Sequence, residues 1–97
     1  MSGTTRTSAD LEPRRKRVLY RAWHRGIREM DMVYGRFADV HIALLSEAEL
    51  DLYERLLELP DKQVFEWVSG AQELAADYDT PLFRRLLDFQ NAQAGFK

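Results

Sequence analysis

The chain has 97 residues, of which 45% are hydrophobic, and a formal net charge of −2 at pH 7. A chain of this length supports one compact core, which excludes a multi-domain protein, and its hydrophobic content excludes a disordered one. The absence of cysteine excludes disulfides, thiolate metal sites and thiol nucleophiles, and two histidines make a structural zinc site unexpected.

The charge is unevenly distributed along the chain. Residues 1–36 include nine basic and four acidic residues, whereas residues 37–97 include five basic and twelve acidic residues. This asymmetry predicts that the amino-terminal helices either face an acidic surface or balance the acidic part of the same protein, and both interpretations stay open.

The first two predicted helices meet at a glycine. Residues 1–9 are predicted to form a flexible tail that lacks the apolar segment of a secretory signal, which favours a bacterial cytoplasmic location. Pro13 is typical of a first helical turn, with Asp10 as a candidate cap, and this helix is expected to run to about His24. Gly26 is expected to break it. The second helix is predicted from apolar-face residues at spacings of three and four, namely Ile27, Met30, Tyr34, Phe37, His41 and Leu44.

Two positions of the second predicted helix stand out. Gly35 inside a helix costs about 1 kcal/mol relative to alanine, so a close helix crossing or a partner is expected to explain it. His41 lies on the apolar seam and is predicted to be a hydrogen-bonded core histidine, not a ligand. Four aromatic residues at helical spacing are predicted to be core, not a flavin-binding box: Trp23, Tyr53, Phe65 and Trp67.

Two further helices follow from their start and stop signals. The segment from Ser46 to Glu49 is a capping box, so a third helix is predicted from Glu47 to a point before Pro60. Asp61 is expected to cap a fourth helix that runs from Lys62 to Ser69 and stops at Gly70.

The carboxyl-terminal part predicts a fifth helix. Residues 71–77 are compatible with a poor extra turn of the fourth helix or with a loop. Thr80 is predicted to cap the fifth helix, with Pro81 at its first position, and residues 93–97 are predicted to fray. No stretch alternates with a period of two, so the predicted fold is all-α, a compact single-domain five-helix bundle over residues 10–92.

The segment Arg25-Gly26-x-x-Glu29 has two interpretations. In the structural one, Gly26 ends a helix and Glu29 is stabilised by the dipole at the start of the next helix. In the functional one, a glycine without a Cβ atom lets another protein's backbone come close, while Arg25 and Glu29 direct charge at it. Their spacing in sequence does not separate the two.

No catalytic residue and no metal ligand is predicted. Glu29 and Asp31 point about 200° apart around a helix, so they do not converge on one bond as an acid/base pair would. His24 has no Ser, Cys or Lys nucleophile in a recognisable arrangement. The chain is therefore not expected to be an enzyme.

A run of basic residues raises the question of nucleic acid. Arg14-Arg15-Lys16-Arg17 is followed by Arg21, Arg25 and Arg28, and basic residues on one side of a helix neutralise phosphates. The pI is near 5.6, however, and no DNA- or RNA-binding motif is present, so protein binding is favoured and no nucleic-acid partner is predicted. No apolar run reaches the roughly 18 residues that span a bilayer, so no membrane insertion is predicted.

Several segments together resemble the succinate dehydrogenase FAD assembly factor family. They are Arg17-Val18-Leu19-Tyr20, WHRGIREMD from Trp23 to Asp31, Gly35-Arg36-Phe37-Ala38, Leu56-Leu57-Glu58, and DKQVFEWVSG from Asp61 to Gly70. The pattern R-G-x-x-E-x-D combined with a later F-x-W-x-x-G makes the resemblance specific. It covers residues 14–89 and implies the compact five-helix fold of that family.

The resemblance implies an accessory protein that binds the flavoprotein subunit of succinate dehydrogenase, with the fumarate reductase subunit as a further candidate client. It implies that the protein promotes covalent attachment of FAD to a histidine of that subunit, the chemistry belonging to the flavin and the flavoprotein. It also implies that FAD is attached to the partner and that no cofactor is stably bound by this chain.

The family motif also implies a partner-binding site. Its positions in this chain are Arg25, Gly26 and Glu29, with Asp31 beside them, and Arg21, Tyr20 and His24 adjoin them on the first helix. A bulky residue at Gly26 is expected to abolish flavinylation of the partner without unfolding this protein. The alternative function is a helical protein-binding adaptor or an antitoxin-like regulator.

Overall fold

In the computed structural model, residues 10–94 are described, and they form five α-helices with no strand among them. The helices are α1 (Pro13–Trp23), α2 (Arg28–His41), α3 (Glu47–Leu57), α4 (Asp61–Ser69) and α5 (Pro81–Ala94). The predicted all-α, five-helix fold is confirmed. The predicted tail over residues 1–9 lies outside the described residues, as do residues 95–97. Residues 93 and 94 belong to α5, and the fraying predicted over residues 93–97 stays a prediction.

Helix α2 lies at the centre of the bundle. It packs against α1, α4 and α5, while α3 packs against α1 and α5. The apolar seam predicted for α2 is correct for Met30, Tyr34 and Phe37, which are buried. Leu44, however, is 78% exposed, because α2 ends at His41 and the seam does not continue beyond that residue.

The crossing of α1 and α2 explains the glycine within α2. Gly35 is buried, and a Cβ atom added to it would overlap with the indole ring of Trp23. The same indole donates a hydrogen bond from Nε1 to Asp39 Oδ1 at 3.0 Å. The predicted close helix crossing at Gly35 is therefore confirmed.

Two predicted helix caps are present. The Glu49 amide donates to Ser46 Oγ at 3.1 Å, and the Ser46 amide donates to Glu49 Oε1 at 2.8 Å, which completes the capping box of α3. At the start of α5, the Phe83 amide donates to Thr80 Oγ1 at 3.1 Å. Hydroxyl groups thus satisfy amides that have no partner inside their own helix.

The other two predicted caps are wrong. Helix α1 begins after Glu12, which makes no side-chain cap, so Asp10 is not its cap residue. Helix α4 includes Asp61 as its first residue and follows Pro60. Asp61 binds an arginine of another segment in place of an amide of its own helix.

The remaining predictions concern the end of α4 and the aromatic core. Gly70 ends α4 with a positive φ of 85°, and residues 71–75 form no helix before a 3-10 turn at Ala76–Tyr78, so the undecided stretch is mainly a loop. Three of the four aromatic residues predicted as core are buried, and Phe65 is half-buried. The Tyr53 hydroxyl donates to the Tyr34 carbonyl at 2.7 Å inside this core.

Candidate functional site

Residues 24–27 join α1 to α2 in a tight corner. Gly26 has a φ of +105°, a conformation that side chains disfavour. It is exposed, and a Cβ atom added to it would have no heavy atom within 4 Å apart from those of residues 25–27. The backbone of this corner is therefore open to an approaching partner.

The conformation of Gly26 sets a cost for any substitution at this position. A side chain held at this φ costs about 1–3 kcal/mol, even though there is space for it. A bulky residue at Gly26 would thus destabilise the fold as well as block the corner. The expectation that such a variant does not unfold stays a prediction.

The two carboxylates of the motif have different surroundings. Asp31 Oδ1 accepts a hydrogen bond from the backbone amide of Arg25 at 2.7 Å, so Asp31 holds the corner from within. Glu29 is exposed, and its carboxylate makes no hydrogen bond or ion pair with any residue in the range 10–94. They do not converge on a common point, as their spacing predicts.

The Arg25 side chain faces the protein, not the solvent. Its Nε atom lies 3.0 Å and its Nη2 atom 2.9 Å from Asp61 Oδ1, and Nη2 also donates to the Leu57 carbonyl at 2.9 Å. The side chains of Arg25 and Asp61 are only 12% and 14% exposed. The guanidinium carbon also lies 5.2 Å from the centre of the Tyr34 ring. The corner is thereby tied to the junction of α3 and α4.

This geometry bears on the functional interpretation of the motif. In that interpretation Arg25 directs its charge outward beside Gly26, whereas in the structure its guanidinium is held by Asp61. The assignment of the motif residues to a contact with a partner stays a prediction.

A buried tyrosine lies beneath the Arg25 guanidinium. Burial raises the pKa of Tyr34, and the nearby Arg25 charge opposes that rise only in part. The Tyr34 hydroxyl stays protonated and donates to the Leu56 carbonyl at 3.2 Å. The contact between the corner and α3 therefore includes a neutral tyrosine that is hydrogen-bonded to the backbone of α3.

The other three predicted site residues lie at the end of α1, with Tyr20 and Arg21 inside the helix and His24 directly after it. The Tyr20 and His24 rings stack with their centres 3.8 Å apart, and His24 Nδ1 lies 2.7 Å from the Tyr20 carbonyl oxygen. Because a carbonyl oxygen only accepts, His24 Nδ1 carries the hydrogen. Arg21 is turned toward α3, where its Nη2 atom lies 2.8 Å from Glu58 Oε2.

Of the predicted site residues, four are exposed and three are engaged within the protein. Tyr20, His24, Gly26 and Glu29 form an exposed group, whereas Arg21, Arg25 and Asp31 bind other residues of this chain. No local pattern indicates that Asp61 pairs with Arg25, since 36 positions separate the two residues and an aspartate after a proline is typical of a helix cap. Among residues 10–94, no group of three or more His, Cys, Asp or Glu residues is arranged to hold a metal ion. None of the helices in that range has the length and apolar character needed to cross a membrane.

Comparisons with known proteins agree with the resemblance of the sequence segments. The model of the family described as flavinator of succinate dehydrogenase matches residues 16–90. The FAD assembly factor SdhE of Acetobacter pasteurianus is 33% identical over 86 residues, which cover 89% of this chain and 79% of that protein.

Mitochondrial relatives also match. Succinate dehydrogenase assembly factor 2 of Dictyostelium discoideum is 33% identical over 76 residues, covering 78% of this chain and 54% of the relative. The protein of the same name from Meyerozyma guilliermondii is 37% identical over 84 residues, covering 86% of this chain and 58% of the relative. This chain thus spans little more than half the length of these two relatives. No solved structure matches it. With the family model covering most of its length, the chain belongs to the family of succinate dehydrogenase flavinators.

Proposed function

We propose that this chain is an accessory assembly factor that binds the flavoprotein subunit of a succinate dehydrogenase and promotes the covalent attachment of FAD to that subunit. The observation that carries the proposal is the open backbone at Gly26 beside Glu29, a carboxylate without a partner among the described residues. Membership of the flavinator family and the names of the relatives support the choice of client.

In this proposal the chain supplies position and the client supplies the chemistry. Covalent attachment is a reaction of the flavin with the flavoprotein. The corner is fixed by Asp31 on one side and by Asp61 on the other, so little conformational freedom is lost when it docks. A rigid corner of this kind holds a mobile part of the client in the arrangement that favours bond formation.

The proposed roles of the site residues follow from their exposure. Gly26, Glu29, Tyr20 and His24 are proposed to contact the client, because they are exposed at the corner. Asp31, Arg21 and Arg25 are proposed to act through the shape of the corner, because their side chains bind this chain.

The test is reconstitution of flavinylation with purified components. The apo flavoprotein subunit is incubated with FAD with and without this chain, and covalent flavin is read by in-gel fluorescence after denaturation. The wild-type chain should raise the signal, and Glu29→Gln should reduce this increase about tenfold, as expected when one charged interface contact is lost. Glu73→Gln is the matched control, because Glu73 is also exposed and has no ion pair in the described part of the chain.

Both variants should keep the wild-type melting temperature. Covalent flavin that does not depend on the chain would refute the proposal. Capture of an unrelated protein at the same corner, with flavin content unchanged, would support the adaptor function instead.

A narrower proposal concerns the cofactor. We propose that the isolated chain binds no FAD stably and that FAD is retained only by the client. Equilibrium dialysis of the chain against FAD tests this, and retention of FAD at micromolar concentrations would contradict it.

The client range and the location are proposed on the same basis. The flavoprotein subunit of fumarate reductase is a second proposed client, and the same in-gel assay with that subunit tests it. The proposed site of action is the bacterial cytoplasm, by similarity to the bacterial relative, and cell fractionation with detection of this chain tests it.

A further inference from the structure

Most arginines of the described chain neutralise carboxylates of the same protein. The pairs are Arg14 with Glu47, Asp51 and Glu54; Arg15 with Glu12 and Glu47; Arg21 with Glu58; Arg25 with Asp61; Arg84 with Asp79; and Arg85 with Glu49. The positive charge of α1 that faces α3 is thus used inside the molecule. It balances the acidic part of the chain.

Two cations on the outer side of α1 differ from these arginines. Lys16 and Arg17 are exposed, and their side chains make no ion pair or hydrogen bond within residues 10–94. At 100° per residue, Lys16, Arg17, Tyr20 and His24 lie within about one third of the helix circumference. We call these four residues the basic face. It runs along α1 to the corner at Gly26.

The basic face also has an apolar component. Tyr20 is 64% exposed, and an open depression of about 500 Å³ is lined by Lys16, Arg17, Tyr20 and Arg21. Long cationic side chains present methylene stems to such a depression while their charges stay in water. Aromatic and arginine side chains together are typical of protein interfaces.

We propose that the basic face binds an acidic segment of the client, one that carries carboxylates beside an apolar side chain. This inference rests on the proposed function, since it extends the docking surface from the corner along α1. The carboxylates of the segment would pair with Lys16 and Arg17, and its apolar side chain would pack on Tyr20. The charge asymmetry of the sequence is compatible with an acidic partner, and in this proposal that partner binds the basic face. The arginines of α1 that face α3 instead form ion pairs within the protein.

A protein partner fits this face better than a nucleic acid does. Affinity for a duplex grows with the number of phosphates that Lys and Arg neutralise, whereas this face offers two cations without an ion pair in the described range, beside a histidine. The chain as a whole carries a net charge of −2, which repels a polyanion.

Charge reversal tests the inference. The affinity for the apo flavoprotein subunit is measured by calorimetry at low and at physiological ionic strength. Lys16→Glu and Arg17→Glu should each weaken binding about tenfold at low salt and reduce the salt dependence of the affinity, because attraction becomes repulsion. Arg36→Glu is the matched control: it makes the same change in charge at an exposed residue of α2 that has no ion pair in the described chain, and it should change the affinity less than twofold.

Cross-linking gives an independent readout. A carbodiimide joins an amine directly to a carboxylate in contact with it, so Lys16 should become linked to an aspartate or glutamate of the subunit. Lys16→Arg keeps the positive charge but removes the amine, so this variant should lose that cross-link while still binding the subunit more tightly than Lys16→Glu does.

The outcomes separate this inference from the proposed function. If the Lys16 and Arg17 reversals behave like Arg36→Glu while Glu29→Gln still impairs flavinylation, the basic face is not a docking surface and the proposed function stands. If the chain does not bind the subunit at all, both fail. Salt-sensitive binding of an arbitrary DNA duplex that the same two reversals abolish would overturn the inference in favour of nucleic acid.

Discussion

At the scale of single residues, Arg25 has a role that its place in the motif does not indicate. An arginine next to an exposed glycine suggests a charge offered to a partner, yet its guanidinium is bound by Asp61 and by the Leu57 carbonyl. Removing one member of a largely buried ion pair leaves the other without compensation, whereas replacing both by apolar residues is often neutral. This difference separates a positioning role from a direct contact.

We expect Asp61→Leu to lower the free energy of unfolding by about 3 kcal/mol, because it leaves the Arg25 charge largely buried and unpaired. The same variant should also reduce flavinylation of the client, because the corner is no longer held in place. The double variant Arg25→Met/Asp61→Leu should regain both stability and most of the flavinylation, as measured by urea unfolding and in-gel flavin fluorescence. A double variant that is stable but inactive would show that Arg25 contacts the client itself.

At the scale of helices, the molecule depends on how closely α1 approaches α2. Trp23 ends α1 and covers Gly35, so the absence of a side chain at Gly35 sets the distance between the two helices. The corner at Gly26 follows Trp23 directly, and its geometry is therefore coupled to this crossing. A change at Gly35 acts on the corner without touching it.

Gly35→Ala should lower the free energy of unfolding by about 1–2 kcal/mol. Overpacking against the indole costs about 1–3 kcal/mol, and the better helix propensity of alanine offsets up to about 1 kcal/mol of it. Chemical denaturation measures the change. Trp23→Phe provides the control, since the loss in the double variant should be smaller than the sum of the two single losses if the two side chains collide. Additive losses would contradict the collision.

The same scale shows what the sequence predicts and what it does not. The starts of α3 and α5 are predictable because Ser46 and Thr80 act within four residues of themselves. The predicted cap at Asp61 and the predicted burial of Leu44 are wrong for different reasons. Asp61 is used by Arg25, a distant residue, and Leu44 continues an apolar spacing beyond the end of its helix. The exposure of Gly26 depends on how α1 and α2 pack, so the spacing of residues in the sequence does not predict it.

At the scale of the whole molecule, stability should depend on pH through a half-buried histidine. His41 packs on the rings of Phe37 and Phe89, and its Nδ1 atom lies 3.4 Å from Arg85 Nη2. Burial, with the Arg85 charge in addition, lowers the pKa of His41 below its ordinary value of 6.5, and Glu49 opposes this only in part. The folded protein therefore keeps His41 neutral where the unfolded chain takes up a proton.

The free energy of unfolding should accordingly be highest above pH 6.5 and should fall as the pH is lowered from 6.5 through the pKa of His41 in the folded state. His41→Gln should flatten this part of the profile, measured by urea unfolding between pH 7.5 and pH 5. The control is His24→Gln, which removes an exposed histidine. If both variants keep the wild-type slope, His41 is not its source.

The sequence predicts that the basic residues near the amino terminus have a use, but it does not predict which residues have which use. Composition along the chain leaves two uses for the basic residues near the amino terminus, self-neutralisation and attraction of an acidic surface. The fold assigns the first use to Arg14, Arg21 and Arg25, which lie against α3 and α4. Lys16 and Arg17 differ from Arg14 and Arg21 in the side of α1 that they occupy, and that side is fixed by packing.

The burial of both tryptophans has a practical consequence. Trp23 and Trp67 are 5% and 9% exposed, and the chain contains no other tryptophan. Their emission should be that of indoles shielded from water and should shift to the red only when the core opens. Intrinsic fluorescence therefore gives an optical measure of folding for each purified variant above. This signal is distinct from the fluorescence of the flavin attached to the client.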